Sequence, residues 1–363
     1  MKTWQDLVDK GFIKKTEDGQ GYIVDGDLNL SGEESVAKPI SGPEFLINQE
    51  GINLRGVGIN TLPENLIITG SLNAISSKLN FLPNNLKVHG SLHMDDTLIR
   101  TLPENLYVGG DLNLSNTYVA IMGENLEVRG NLVLHWSSIK KLSKNLKVGG
   151  NLDLRKTLIT ELPENLWVGG DLDLRSTKIS SLPQNFKVVG SLRFSESKIS
   201  TLPDYLVVNG DLNLNGCPIK NLPESLVVNG DLNLGNTPIT ELPRNLIVIG
   251  GLNLSGSNIK SIPADLVVNT YLDLGGTNID KLPETLAIGG FVWPGKAKIN
   301  RAKSLPFKIV EESNEEEYAH AYMERFQNFV ESKNQIQDLT KFRMMLLKNG
   351  NKTNTNSLGF GSV

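Results

Sequence analysis

A period of 20 residues runs without insertion or deletion from Gly51 to Gly290, giving twelve units. So short a unit cannot bury its own apolar face, so neighbouring units must stack. Numbered one to twenty from Gly51, positions two, four, nine, twelve, sixteen and eighteen are apolar in every unit. In the unit that begins at Asp171 they are Leu172, Leu174, Ile179, Leu182, Phe186 and Val188. The stretches Leu172-Asp173-Leu174 and Phe186-Lys187-Val188 alternate with period two, which marks strands with one buried face. Each unit therefore offers two short strands and leaves no room for a helix of ordinary length. Stacked in register, each strand pairs with its copies roughly 4.8 Å away, so twelve coils make parallel sheet about 55 Å long.

Three further columns are punctuation. Position thirteen is Pro in ten of twelve units, Gly123 and Ser143 being the exceptions. Pro fixes φ and gives up a donor, which suits a corner. Position twenty is Gly in eleven of twelve, with Thr270 the exception, and is expected to serve a positive φ or a close backbone approach. Position seven is Thr or Ser in ten of twelve, with Val57 and Cys217 at the others, and its hydroxyl is expected to bond the next coil's backbone.

The apolar content of 39% and charged content of 21% are those of an ordinary soluble protein. Only 6% of residues are aromatic, against 35 Gly, in keeping with thin repeated layers and not one thick core. The single cysteine, Cys217, has no partner for an internal disulfide, so a reducing compartment is expected, the cytoplasm or, after delivery without a readable secretory signal, a host cell. The first residues lack the apolar run of a secretory signal, and no stretch approaches the ~20 apolar residues of a membrane span. The net charge of -4 argues against a nucleic-acid partner, which calls for a basic stripe.

The run Leu-x-Leu-x-x-Thr-x-Ile-x-x-Leu-Pro-x-x-Leu resembles the leucine-rich repeat, and its 20-residue length with Leu-Pro resembles the short-repeat leucine-rich effectors of bacteria. The resemblance covers residues 51–290. It implies a mainly β solenoid, a leucine-rich-repeat superhelix of twelve repeats with two short parallel strands each. It also implies a non-enzymatic protein-binding scaffold, usually docking on its concave face, with an effector or inhibitor role of bacterial or phage origin. Two departures stand out: Thr or Ser replaces the family's Asn at position seven, and the second strand is unusually regular, which leaves a two-sheeted β-solenoid open. Some of these effectors carry a C-terminal ubiquitin-ligase domain with a catalytic cysteine. That activity is not carried over, because Cys217 lies inside a repeat.

The expected organisation is an N-terminal cap over 1–26 and the solenoid over 27–290, with a degenerate unit at 27–50 ahead of the regular units. A degenerate repeat with a helical C-terminal cap follows over 291–350, then a tail over 351–363. Helices are predicted at 3–11, 314–332 and 336–348, the second with Tyr318, Tyr322, Phe326 and Phe329 on one stripe.

No catalytic, cofactor or metal constellation is expected. His93 and His135 fall two coils apart, about 10 Å, too far to share a metal without a third element. The candidate site is a partner surface on the outward positions of the first strand. There His93, Asp95, His135, Trp136, Asp153, Arg155, Asp173, Arg175 and Arg193 cluster, with Asp96, Asp171 and Glu196 beside them, where later coils carry Gly and Ser. Trp and Arg dominate binding hot spots and a structural sheet has no need of them there. The competing reading is ordinary surface variation over an Asn/Asp ladder at position three. A second candidate patch is the apolar column Val207, Val227, Ile247 and Val267 on the other strand. It motivates the alternative of an assembly component, for example virion-associated, that makes contacts through this stripe and the C-terminal helices.

Overall fold

The alternation at positions two to four and sixteen to eighteen resolves into two parallel strands per coil. In the computed structural model, residues 51–297 are described apart from scattered positions, with short segments before Gly51 and the strand Lys308–Ile309. They belong to one compact unit, Met1–Ile309. Both helices expected at 314–332 and 336–348 lie outside the described residues, as does most of the helix expected at 3–11.

The first strands occupy positions two and three, as in Leu172–Asp173, and join into one fifteen-stranded parallel sheet from Leu28–Asn29 to Lys308–Ile309. Leu172 faces Leu192 and Leu192 faces Leu212, a slip of one whole coil at each step. The second strands occupy positions seventeen and eighteen. Those up to Lys187–Val188 join Phe45–Ile47, Tyr22–Val24 and the antiparallel Lys14–Lys15 in a ten-stranded sheet, and those from Val207–Val208 to Ala287–Ile288 form a five-stranded sheet. Within the irregular stretch 27–50, Leu28–Asn29 pairs with Ile52–Asn53 and Phe45–Ile47 with Leu66–Ile68.

Between the sheets lies a continuous apolar core made of the six repeating columns. Leu112, Leu132, Leu152 and Leu172 are fully buried, each contributing about 2 kcal/mol of transfer energy before chain entropy is set against it. Position twelve is the loosest column, with Leu202 and Leu282 only half-buried.

The hydroxyls of position seven do not bond the next coil's backbone, although Ser197 Oγ lies 3.7 Å from Cys217 Sγ of the following coil. Six threonines (Thr97, Thr117, Thr157, Thr177, Thr237 and Thr277) donate back three residues, to the position-four carbonyl of their own coil, at 2.6–2.8 Å. Serine in the same column does otherwise: Ser137 and Ser257 have buried Oγ atoms without a protein partner. The β-branched threonine side chain is held in the rotamer that aims the hydroxyl, whereas serine is not.

The close approach expected at position twenty is real, but positive φ lies elsewhere. A Cβ added at Gly190 would come within 2.7 Å of the Gly170 carbonyl carbon. Left-handed residues stand at position six, in all twelve coils, from Gly56 (φ 69) through Asp96 (φ 59) and Asn116 (φ 55) to Gly276 (φ 67), and at position fifteen in Asn85, Asn105, Asn125 and Tyr205. The occupants of position six, Gly, Asn, Asp and Ser for the most part, were the sequence signal for it.

Position one supplies a second coil-to-coil ladder. The backbone N–H of Asn131 donates to Asp111 Oδ1, that of Asn151 to Asn131 Oδ1 and that of Asp171 to Asn151 Oδ1, each at 2.7 Å. The rungs continue through Ser191 and Asp211 to Gly251 N–H on Asp231. Replacing Asp111 by Ala strands a half-buried N–H and is expected to cost about 1 kcal/mol in a urea titration. An unchanged midpoint would show that water substitutes for the rung.

Candidate partner-binding face

Two of the three outward columns on the first sheet are structural. Position one carries the rungs just described. Position three closes a local turn: Asn73, Asn113, Asp153, Asp173, Asn213 and Asn253 each accept, through Oδ1, the N–H two residues on. The Asn/Asp column is thus an Asx turn within each coil. Variation free of this framework sits at positions five and six and at the coils where position three departs from Asn or Asp, namely His93, Val133 and Arg193.

Five of the predicted residues form one network. His135 Nδ1 lies 3.0 Å from Asp153 Oδ2, so the nitrogen facing the carboxylate carries the proton. Arg155 forks onto the same carboxylate, Nη2 at 2.6 Å and Nε at 2.9 Å. Arg155 Nε also stands 3.6 Å from Asp173 Oδ2, which in turn holds Arg175 Nη2 at 2.6 Å. Arg193 is separate and donates to Asp171 Oδ2 at 2.8 Å. His93 and Asp95 are not joined to this chain: Asp95 accepts from Asn113 Nδ2 at 3.1 Å. The network arises because Asp at position three and Arg at position five of one coil are two residues apart on one strand end, within reach of a bidentate fork.

Burial is the largest single influence on Asp153 and pushes its pKa up. The Arg155 hydrogen bonds and charge, helped by His135, together outweigh it and hold the carboxyl below its ordinary value. Asp171 is lowered in the same way, burial being opposed by the Ser191 N–H and by Arg193. A carboxyl whose folded pKa is depressed contributes stability above the unfolded value of about 4, and that contribution disappears as pH falls through the folded pKa. The urea midpoint is therefore expected to drop between pH 5 and pH 3, with a shallower drop in Asp153→Asn. Equal slopes in the two proteins would assign the acid sensitivity elsewhere.

Trp136 is not on the strand. It occupies position six, the left-handed turn, at φ 61, with 60% of its surface exposed. Lys156, the next coil's position-six residue, sets Nζ 4.2 Å from the ring centroid. Lys156 was missed in the sequence because the column's backbone role was not recognised.

On the second sheet, Val207 and Val267 are exposed while Val227 and Ile247 are half-buried, so the apolar column does face outward. Cys217 is buried. Its Sγ donates to the Phe194 carbonyl at 3.1 Å, and burial pushes its thiol pKa up, against hydrogen bonds from its neighbours. Among the described residues there is no group of three His, Cys, Asp or Glu side chains able to hold a metal, and no helix long and apolar enough to cross a membrane.

No family model and no curated protein matches the chain. Solved structures similar to it include YopM, a leucine-rich effector protein from Yersinia pestis. That structure is 17% identical, covers 71% of this chain and 88% of its own, and has a TM-score of 0.37. YopM from Yersinia enterocolitica is 16% identical over 85% of this chain and 91% of its own, with a TM-score of 0.32. A leucine-rich-repeat protein from Leptospira interrogans is 17% identical over 67% and 85%, with a TM-score of 0.34. The chain's own coil, with 20 residues, two parallel strands and a Leu-Pro corner, makes it a parallel β-solenoid whose unit resembles the short leucine-rich repeat.

Proposed function

We propose that this chain is a non-enzymatic scaffold that binds a protein partner on the first-sheet face around Trp136, Arg155 and Arg175. The observation that carries the reading is Trp136. An aromatic side chain in the left-handed region costs on the order of 1–2 kcal/mol; at position six the other eleven coils avoid one, and the chain's other left-handed aromatic among the described residues, Tyr205 (φ 60), stands at position fifteen. Strain at an exposed residue that packs nothing in the core is understandable if the side chain serves a contact. The ion-paired arginines beside it are already ordered, so docking on them costs little side-chain entropy. A bacterial or phage effector or inhibitor role, and action in a cytoplasm, belong to this proposal and rest on the repeat resemblance alone.

The test is affinity capture from the native source with wild type, Trp136→Asn and Arg155→Ala/Arg175→Ala as baits. Partners retained by wild type and lost by both variants are the expected result. The same partner set on all three baits would overturn the reading. The assembly alternative is favoured by the outward Val207–Val267 column. It predicts a self-associating chain that Val207→Lys/Val267→Lys returns to monomer in light scattering, and a monomeric wild type would dismiss that form of it.

A further inference from the structure

Among the described residues eleven large apolar side chains are exposed, of which Trp167, Val189, Tyr205, Val207 and Val267 stand at or beside the second strands. The other six, Phe81, Leu98, Tyr118, Ile121, Trp136 and Leu158, are between 42% and 63% exposed. They fall in five consecutive coils, those starting at Ser71, Ser91, Asp111, Asn131 and Asn151, and at positions six, eight and eleven. These positions lie past the left-handed turn, on the flank that runs from the first sheet toward the Pro corner. Stacking places them on a strip about 20 Å long. In the coils from Asp171 onward the same flank has no large apolar residue. Position eight there holds Lys178, Lys198, Pro218, Pro238, Asn258 and Asn278. Each chain position thus carries the same backbone role in both halves, and only one half carries this surface.

The strip also carries more cations than anions. Lys78, Arg100, Lys140 and Lys156 border it, and none has an ion-pair partner among the described residues. Arg100 stacks 5.4 Å from the Tyr118 ring centroid, and Lys156 stands over Trp136. Of the acids on the flank or next to it, Glu161 is ion-paired with Lys141 at 2.9 Å, while Asp95 and Asp96 accept from the side-chain amides of Asn113 and Asn116 and keep their charge. In a chain of net charge -4 this is a local excess of unpaired cations around exposed rings and aliphatics. The sheet face beside it, by contrast, has its arginines neutralised by Asp153, Asp171 and Asp173.

We propose that this flank is the principal docking surface of the scaffold, and that it takes a protein segment of apolar residues flanked by Asp or Glu. The inference rests on the protein-binding reading above and moves its centre from the charged sheet face to the apolar flank, with Trp136 shared by both. Burial of the rings and aliphatics supplies the affinity. The unpaired cations select acidic flanks and speed encounter. The ion-paired arginines fix orientation.

The experiment is selection of random displayed peptides on the full chain, followed by fluorescence anisotropy of labelled synthetic copies of the enriched sequences. Enriched sequences are expected to pair large apolar residues with Asp and Glu. Their binding is expected to weaken about 30-fold or more in Leu98→Ser/Tyr118→Ser/Leu158→Ser, all surface changes. It should weaken about tenfold in the charge reversal Arg100→Glu/Lys140→Glu. Arg155→Ala/Arg175→Ala, which removes the orienting contacts, should weaken it too, but by less than the apolar triple variant does. Peptides that depend on Arg155 and Arg175 but not on the flank would overturn this proposal and leave the sheet-face reading standing. Peptides indifferent to every variant, Trp136→Asn included, would overturn both. Basic enriched sequences, or none enriched at all, would overturn the flank as an acidic-segment site.

Discussion

Replacing Phe194 by Ala is expected to remove about 3–5 kcal/mol of stability, the largest single loss available from a core side chain in the described solenoid. Phe194 is fully buried at position four, where nine of the twelve coils carry Leu. Its backbone also anchors its neighbours, since the carbonyl accepts from Ser197 N–H at 2.8 Å and from Cys217 Sγ at 3.1 Å. The coil it belongs to has less support than others on the opposite side. The second-strand sheet is interrupted between Lys187–Val188 and Val207–Val208, and the Gly210 N–H to Gly190 bond stretches to 3.4 Å against 3.0 Å for Gly230 to Gly210. In a stacked array each coil is stabilised only by its two neighbours, so a cavity here should also uncouple the two halves. Urea unfolding followed by circular dichroism is expected to show a lower midpoint and two transitions where wild type shows one. A loss below about 1.5 kcal/mol would mean that the flanking coils collapse into the space.

Trp136→Asn is expected to move stability and binding in opposite directions. Asn already occupies the same left-handed position at Asn116 (φ 55) and Asn236 (φ 55), where its short polar side chain tolerates the conformation. Relief of strain should raise stability by up to about 1 kcal/mol, less whatever the contact with Lys156 contributes at an exposed site. Loss of an aromatic anchor should weaken partner binding by about 2 kcal/mol or more, roughly 30-fold. Thermal unfolding and a titration against any captured partner measure the two effects separately. If the substitution destabilised the protein, the ring would be serving the fold and the case for it as a contact would weaken.

The coil was legible in the sequence because burial acts on every unit alike: Leu172, Leu174, Ile179 and Val188 repeat because each closes on its copy below. What the period concealed was the backbone role of the polar columns. Asp153 and Asp173 read as binding residues, yet each also closes an Asx turn that a neutral Asn closes equally well in other coils. Trp136 read as a strand residue because its side chain drew attention away from its column, and only the recurrence of Gly, Asn and Asp at position six signals the left-handed turn. The exposed flank was not legible at all. Leu98 and Leu158 look like core leucines until the register shows that position eight points out while Ile99 and Ile159 beside them point in.

The ladder at position one has a consequence for how such a chain can vary. Every rung joins two residues 20 apart, and so does every strand pair within the regular coils. Adding or removing a whole coil would leave both faces matched, with each donor finding an equivalent acceptor. A single inserted residue would bring one sheet into register only by throwing the other out. Length in this architecture is therefore quantised: duplication or loss of 20-residue blocks is tolerated where point insertions are not, and a surface confined to five coils can be carried by a longer or shorter rod without being rebuilt.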